Sequence, residues 1–484
     1  MNGENQSATN MVAKDRIPAS TKFSYGLGTA LDMWGFWLYP AVAFAVFNIY
    51  LGVEPWLVGL ALTVIRLYDA VSDPVAGWIS DNFRSKFGRR RPFILVFGIL
   101  GGLGLPLLFF VSPSWINVTF LGASVLFWYM IVSSVIYIPI MSIYTVPYNS
   151  LGAEMSPDYD ERTSIMTYRS TMQKFFEVGN FYALRFTNLS WFLLPEVGKK
   201  NTLLGIQVYT AILGAMMIIF AVIIFIRVKE RYYDKVVVKI KEHISIKSSL
   251  YETLKNRPFR IMMGVGASFT LGTSMVGSLG YYATVYYVCA GNTIDGDNWN
   301  FWMGIAFMIG GLLGAPILGK VARFIDKKHS VMVAACIGMI GYGGSWFLYT
   351  PLIPWLQTIA SGIMAFAASG LWMLHGSIGA DIIDHDELNT GKRREGSFTA
   401  CGSYILKLGN SLGYFVSGLI LGWAGFDSNV MVQTPDTIFW IRAMLAGIPV
   451  AGLIAVILFV SRLELTKQKC AEIRITLEQR RGTV

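Results

Sequence analysis

Charge is scarce in this chain. Only 14% of its 484 residues are Asp, Glu, Lys or Arg, against 54% hydrophobic residues and a mean hydropathy of +0.50, whereas soluble domains carry about 25% charged residues. The shortage excludes a water-solvated globule and points to lipid as the solvent. Cysteine is scarce too: Cys289, Cys336, Cys401 and Cys470 are widely spaced, match neither metal-ligand nor secreted-disulfide patterns, and read as packing residues. The sequence has no phosphate-binding Walker loop, and no nucleophile triad or metal-ligand spacing in a polar segment. An enzyme is therefore disfavoured, and the expected energy source is an ion gradient, with no cofactor beyond a coupling Na⁺ or H⁺. Met1 to Lys22 is polar and has no apolar signal-peptide region, so the first hydrophobic helix is expected to serve as the targeting signal.

What is abundant is long apolar runs. A membrane-spanning helix needs about 20 apolar residues. Twelve such stretches lie near 23–50, 56–81, 92–112, 116–150, 164–186, 203–226, 259–290, 300–322, 330–350, 352–380, 397–424 and 436–461. Pro40, Pro139, Pro147 and Pro316 fall inside them, which spanning helices tolerate because neighbouring helices re-satisfy the freed backbone groups. The expected fold class is an all-α membrane protein with twelve transmembrane helices.

Basic residues set the orientation. Alternate connections hold Arg84, Lys86 and Arg89 to Arg91, then Arg162, Lys229 to Arg257, Lys320 to Lys328 and Lys392 to Arg394, while the opposite set holds only Lys199 and Lys200. By the positive-inside rule both termini are expected in the cytoplasm. The net charge of +10 then reflects topology and attraction to anionic lipid rather than nucleic acid.

The longest polar connection divides the chain into a tail at 1–22, a six-helix bundle at 23–226, a linker at 227–258, a second six-helix bundle at 259–461 and a tail at 462–484. A repeat crosses this divide. Gly77 and Asp81 followed by Gly88, Arg89, Arg90 and Arg91 in one half correspond to Gly319 and Arg323 followed by Asp326, Lys327 and Lys328 in the other. An ordinary topogenic loop is the bland alternative. Its recurrence at the same place in both halves fits duplicated bundles, with Asp81, Arg89, Arg90, Arg162 and Arg323 as candidate cytoplasmic latch residues.

Hydrocarbon should exclude the charges in the second span, which carries Arg66, Asp69 and Asp73. The i, i+4 spacing puts both carboxylates on one helix face. Such a pair, with a hydroxyl nearby, suits Na⁺, or it can share a proton. A structural ion pair with Arg66 is the competing reading, but it leaves one acid unused. Asp32, Ser142, Thr145, Arg169, Lys174 and Lys407 are further polar residues in or near spans. Lys407 interrupts a run of apolar and small residues too deeply to reach a headgroup easily, so it is expected to face an aqueous cavity. Lys174 is equally well explained by an i, i+3 pair with Glu177. Arg185 and Arg442 read as interfacial anchors.

Trp34, Trp37, Trp128, Tyr144, Tyr148, Tyr281, Tyr282 and Trp372 supply rings that can stack on sugar faces, although most aromatic residues in spans serve packing or the interface. His375 and His385 near the end of the tenth span fit a structural role better than a proton relay.

Several motifs together resemble the glycoside-pentoside-hexuronide:cation symporters of the major facilitator superfamily. They are Ser24-Tyr25-Gly26-Leu27-Gly28, Tyr68-Asp69-Ala70-Val71-Ser72-Asp73-Pro74, Val146-Pro147-Tyr148-Asn149-Ser150-Leu151, Asp160-Glu161-Arg162-Thr163 with Tyr168-Arg169, and Ala380-Asp381-Ile382-Ile383-Asp384 running on to Lys392-Arg393-Arg394. The turn from Lys86 to Phe93 is also similar to that of sucrose transporters. The resemblance covers nearly the whole chain and implies two six-helix bundles, with a cation bound at Asp69 and Asp73 and a hydroxyl ligand at Ser142. It places Thr145 where the melibiose permease has an acid serving both sugar and cation, and Arg169 and Lys407 at basic positions around the sugar. Asn149, Tyr148 and Trp372 complete the candidate substrate contacts.

Two departures bear on the solute: Thr145 replaces that acid, and the first-span sugar-binding acid falls on Met33, one place after Asp32. One residue is about 100° of an ideal helix, so Asp32 does not simply inherit the role. The expected activity is cation-coupled symport of a sugar, glycoside or hexuronide by a monomer in the bacterial inner membrane. A lysolipid or other amphipathic-solute carrier on the same scaffold and a non-transporting receptor are the rival readings.

Overall fold

In the computed structural model, residues 16–481 are described except 84, 157–158, 195–198, 231–252, 276 and 392–394. Arg84, Lys392 to Arg394 and most of the linker therefore lie outside the described residues, as do the side chains of Asp81 and Arg162.

The chain is helical almost throughout. In order come α1 (Ala19–Tyr50), α2 (Pro55–Asn82), α3 (Arg91–Leu107), α4 (Val125–Glu154), α5 (Tyr159–Phe186) and α6 (Thr202–Arg227). The interrupted helix α7 follows in three pieces, Arg257–Ser274, Gly277–Tyr282 and Ala283–Val288. Then come α8 (Thr293–Ile325), α9 (Lys327–Leu348), α10 (Leu356–Thr390), α11 (Glu395–Trp423), α12 (Pro435–Ser461) and α13 (Lys467–Arg481). Ten helices among the described residues are long and apolar enough to cross a membrane. The other two expected stretches are also helical but fall outside that set for different reasons: α3 is apolar but has 17 residues, while α5 has 28 residues but is polar.

Two boundaries differ most from the sequence expectation. The fourth helix begins at Val125 rather than near 116, because Thr119–Phe120 pairs with Ala123–Ser124 around Leu121 and Gly122, both at positive φ, and Ser124 then caps the helix. The tenth runs on to Thr390, where Gly391 in the left-handed region ends it.

Contacts divide the chain into two compact units, 1–46 with 68–241 and 47–67 with 242–484. In the first, α3 and α6 meet backbone to backbone: a methyl on Gly214 would lie 2.1 Å from the Gly102 carbonyl oxygen. Close approach through glycine is what holds helices together where lipid removes the hydrophobic incentive. Gly214→Ala should therefore lower the melting temperature in detergent, at a cost of about 1–3 kcal/mol. Gly343→Ala, whose methyl would meet Val450 at an ordinary 3.5 Å, should melt like the parent.

The second unit takes in the corner between α1 and α2. Tyr282 donates to the Asn48 side chain at 2.6 Å, Thr63 donates to the Ser411 carbonyl at 2.8 Å, and Gly418 faces the Pro55 backbone. Gly310 and Gly362 bring α8 and α10 together in the same way. The core of this unit includes Val265, Leu371, Leu374 and Val456, and extends to Ile473 and Leu477 of α13. Burial pushes the Cys470 thiol on α13 up to about 11, so it stays protonated at neutral pH and fits the packing role expected of it.

Candidate functional site

In the first unit, α2 and α4 bring hard oxygen atoms together. Asp69 and Ser142 are buried, and the Ser142 hydroxyl donates to the Asp69 carboxylate at 3.5 Å. Ser72 lies between them, 2.7 Å from the Ser142 hydroxyl and donating to the Asp69 carbonyl at 3.1 Å. One turn along α4 from Ser142, the Thr145 hydroxyl is buried with no hydrogen-bond partner. An unsatisfied buried hydroxyl costs about 1–3 kcal/mol, which a bound cation would offset. Asp73 is half-buried on the next turn of α2. Among the described residues no cluster of three or more His, Cys, Asp or Glu side chains could hold a metal. The donor set of one buried carboxylate and neighbouring hydroxyls instead suits a monovalent cation. Ser72 is the ligand candidate that sequence reasoning passed over, although it stands between the two aspartates in the motif.

A second polar cluster joins α1, α4 and α5. The Arg169 guanidinium lies 5.7 Å from the centre of the Tyr148 ring and donates to the Asn149 side chain at 2.6 Å. Its Nε is buried without a hydrogen-bond partner. Tyr25, Tyr144 and Tyr148 are buried beside it and stack in series, at centroid separations of 4.8 Å (Tyr25 to Tyr148) and 5.6 Å (Tyr144 to Tyr148). Asp32 acts electrostatically on Arg169 and on all three tyrosines. Helix α1 departs from α geometry on both sides of Asp32, with a turn at Leu27 and a π-helical segment at Met33–Trp37. The ideal phase of about 100° per residue therefore does not carry across this region. Met33 is buried, and its carbonyl accepts a bond from Asn180 at 3.4 Å.

The remaining candidates sit elsewhere. Lys174 pairs with Glu177 at 2.8 Å, as the spacing predicts. In the second unit Lys407 is half-buried on α11, and Trp372 packs edge-on against Phe269 and His375. His375 bonds to the Met262 carbonyl at 3.2 Å, and Arg442 lies against the Tyr287 and Trp346 rings. Arg323 is exposed, and its carbonyl accepts a bond from Lys467 at 2.9 Å.

Arg89 and Arg90, two of the latch candidates, are buried, and their main chain meets a partner the sequence did not suggest. The amides of Arg89, Arg90 and Arg91 donate to the Glu230 carboxylate at 2.9, 2.7 and 3.1 Å. Gly88 at φ +104° makes room for it. A carboxylate on a helix N-terminus accepts charge-assisted bonds worth about 1.5–3 kcal/mol. Glu230→Gln should therefore speed hydrogen exchange at residues 89–91 by roughly 10-fold, read by mass spectrometry.

The sequence profile described as "MFS/sugar transport protein" matches residues 22–467. This chain belongs to the glycoside-pentoside-hexuronide:cation symporter family of the major facilitator superfamily. It is 25% identical over 472 residues to the glucuronide carrier protein homolog of Escherichia coli, covering 95% of this chain and 96% of that protein. It is 24% identical over 483 residues to the putative glycoside/cation symporter YagG of the same organism, covering 98% and 96%. Among solved structures, the xylose transporter XylE of E. coli, in a partially occluded inward-open conformation, superimposes with a TM-score of 0.57 at 14% identity, covering 93% of this chain and 98% of that one. That likeness concerns the fold alone: this symporter-family chain is an integral membrane protein with the major facilitator architecture.

Proposed function

We propose that this family member is a secondary transporter that couples entry of a sugar, glycoside or hexuronide to Na⁺ or H⁺, exposing its site alternately to the two sides of a bacterial inner membrane, with both termini in the cytoplasm and the protein acting as a monomer. The observation that carries the reading is the arrangement along α4. Ser142 bonds into the oxygen cluster around Asp69, the unpartnered Thr145 hydroxyl lies one turn further on, and Tyr148 and Asn149 hold Arg169. Asn149 stands seven positions after Ser142, about 10 Å of helix rise. A helix shared by both sites is what coupling requires, because an ion that fixes α4 also fixes the platform under Arg169.

Arg169 matches its planar donor fork to a carboxylate or to paired hydroxyls, and both relatives named above carry sugar-derivative descriptions, glucuronide and glycoside. Uptake into proteoliposomes tests the reading, using labelled glycosides, pentosides and hexuronides under imposed Na⁺ or H⁺ gradients. Accumulation that collapses with the matching ionophore is the expected result. Absence of gradient-dependent uptake for every solute, with uptake of lysolipid instead, would contradict it.

A further inference from the structure

We infer that Tyr25 is a positioning residue for the solute: with Tyr148 it forms a reciprocal clasp between α1 and α4 that fixes the ring beside which the Arg169 guanidinium sits. The inference rests on the reading of Arg169 as a solute-binding residue and gives a role to a residue that stood in the first-helix motif without one.

The clasp is two-way. The Tyr148 hydroxyl donates to the Tyr25 carbonyl at 2.8 Å, and the Tyr25 hydroxyl donates to the Tyr148 carbonyl at 3.2 Å. Both rings are fully buried and stack at 4.8 Å with 24° between their planes. A buried phenol hydroxyl is stabilised by an acceptor, and a main-chain carbonyl has a second lone pair to offer. Tyr144 braces the same place by donating to the Gly28 carbonyl at 3.0 Å while stacking on Tyr148.

The sequence clears space for each half of the clasp. A methyl on Gly28 would come within 2.2 Å of the Tyr148 ring, and a methyl on Gly152 within 2.2 Å of the Tyr25 hydroxyl. Each tyrosine thus occupies a notch made by a glycine on the opposite helix. Helix α1 has its turn at Leu27 beside this contact.

The consequence reaches Arg169 through two consecutive residues of α4. Tyr148 offers its ring and Asn149 its side-chain oxygen, so any tilt of this turn moves both partners of the guanidinium at once. Tyr25 is not placed against the solute. Its hydroxyl sets the α4 turn that aims Arg169.

The test is equilibrium binding of methyl β-glucuronide and methyl β-glucoside to purified protein, for the parent, Tyr25→Phe, Tyr148→Phe, Arg169→Gln and the Tyr25→Phe/Arg169→Gln pair, with the Na⁺ and pH dependence of binding recorded for each. Tyr25→Phe should weaken the probe roughly 3- to 10-fold, as loss of one hydrogen bond does. Tyr148→Phe should match it, because each change removes one arm of the same clasp. In the Arg169→Gln background Tyr25→Phe should add nothing, because it acts through the arginine, and the Na⁺ or pH dependence should be unchanged in Tyr25→Phe. Parent-like affinity in Tyr25→Phe, an equal loss with and without Arg169, or an equal loss in cation response would overturn the inference. If Arg169→Gln itself binds like the parent, or the parent binds neither probe, the reading of the Arg169 site fails instead.

Discussion

Asp69→Asn abolishes cation-driven accumulation, lowering initial uptake by about 100-fold or more, equivalent to about 2.7 kcal/mol, while protein yield and melting temperature stay near those of the parent. The expectation follows from burial. Asp69 is 3% exposed on a helix long enough to span the bilayer, and an acidic side chain at the centre of such a helix costs about 2.5–3.5 kcal/mol. A fold retains that cost where a counter-charge or proton offsets it during the work the protein does. The amide keeps the shape and the hydrogen bond from Ser142 but removes the charge, so it should spare folding and remove the coupling ion. Ser142→Ala and Ser72→Ala each delete one neutral oxygen of the same cluster and should have smaller effects, on the order of 10-fold. Labelled uptake in proteoliposomes with an ionophore control measures all three. Normal accumulation by Asp69→Asn would remove Asp69 from the mechanism.

Arg169→Gln should weaken solute binding by roughly 30- to 100-fold, as loss of a charge-assisted contact does, and a hexuronide should lose more than the matching neutral glycoside. Arg169→Lys keeps the charge but not the planar fork, so its defect should fall between the parent and Gln. The neighbouring cation provides the control. Lys174 is already engaged by Glu177 at 2.8 Å, so Lys174→Gln should bind solute within about 2-fold of the parent, as expected for a partly exposed pair. Competition binding with the two sugars measures each variant. Equal losses for hexuronide and glycoside would assign Arg169 to hydroxyl rather than carboxylate recognition.

The hydrophobic runs made the helices legible because spanning length is a property of local composition. Asp69 was legible for a related reason: hydrocarbon penalises a carboxylate strongly enough that its presence in a span demands an account, whereas Ser142 was picked out as a ligand by the family resemblance. The Thr119–Ser124 hairpin was not legible, because Phe120, Leu121 and Ala123 extend the apolar run of the helix that follows, while the break lies in the backbone, at the positive φ of Leu121 and Gly122. Glu230 escaped notice because it lies past the end of α6 in a polar stretch, and its partners are main-chain amides, which no residue pattern marks. Tyr25 and Ser72 stood inside motifs already singled out. Their roles depend on which side chains of another helix lie opposite them, and that is set by packing. The phase argument about Asp32 and Met33 assumed a regular helix, and the π-helical segment beginning at Met33 removes that assumption.

The central claim is that the oxygen cluster around Asp69 holds the coupling cation and passes its effect along α4 to the solute. The most direct measurement is solute affinity of purified protein as a function of Na⁺ concentration and of pH, in the parent and in Asp69→Asn. The account predicts that affinity rises with one of the two cations in the parent and is flat for both in Asp69→Asn. Affinity indifferent to both cations in the parent, or a cation response retained in Asp69→Asn, would contradict it.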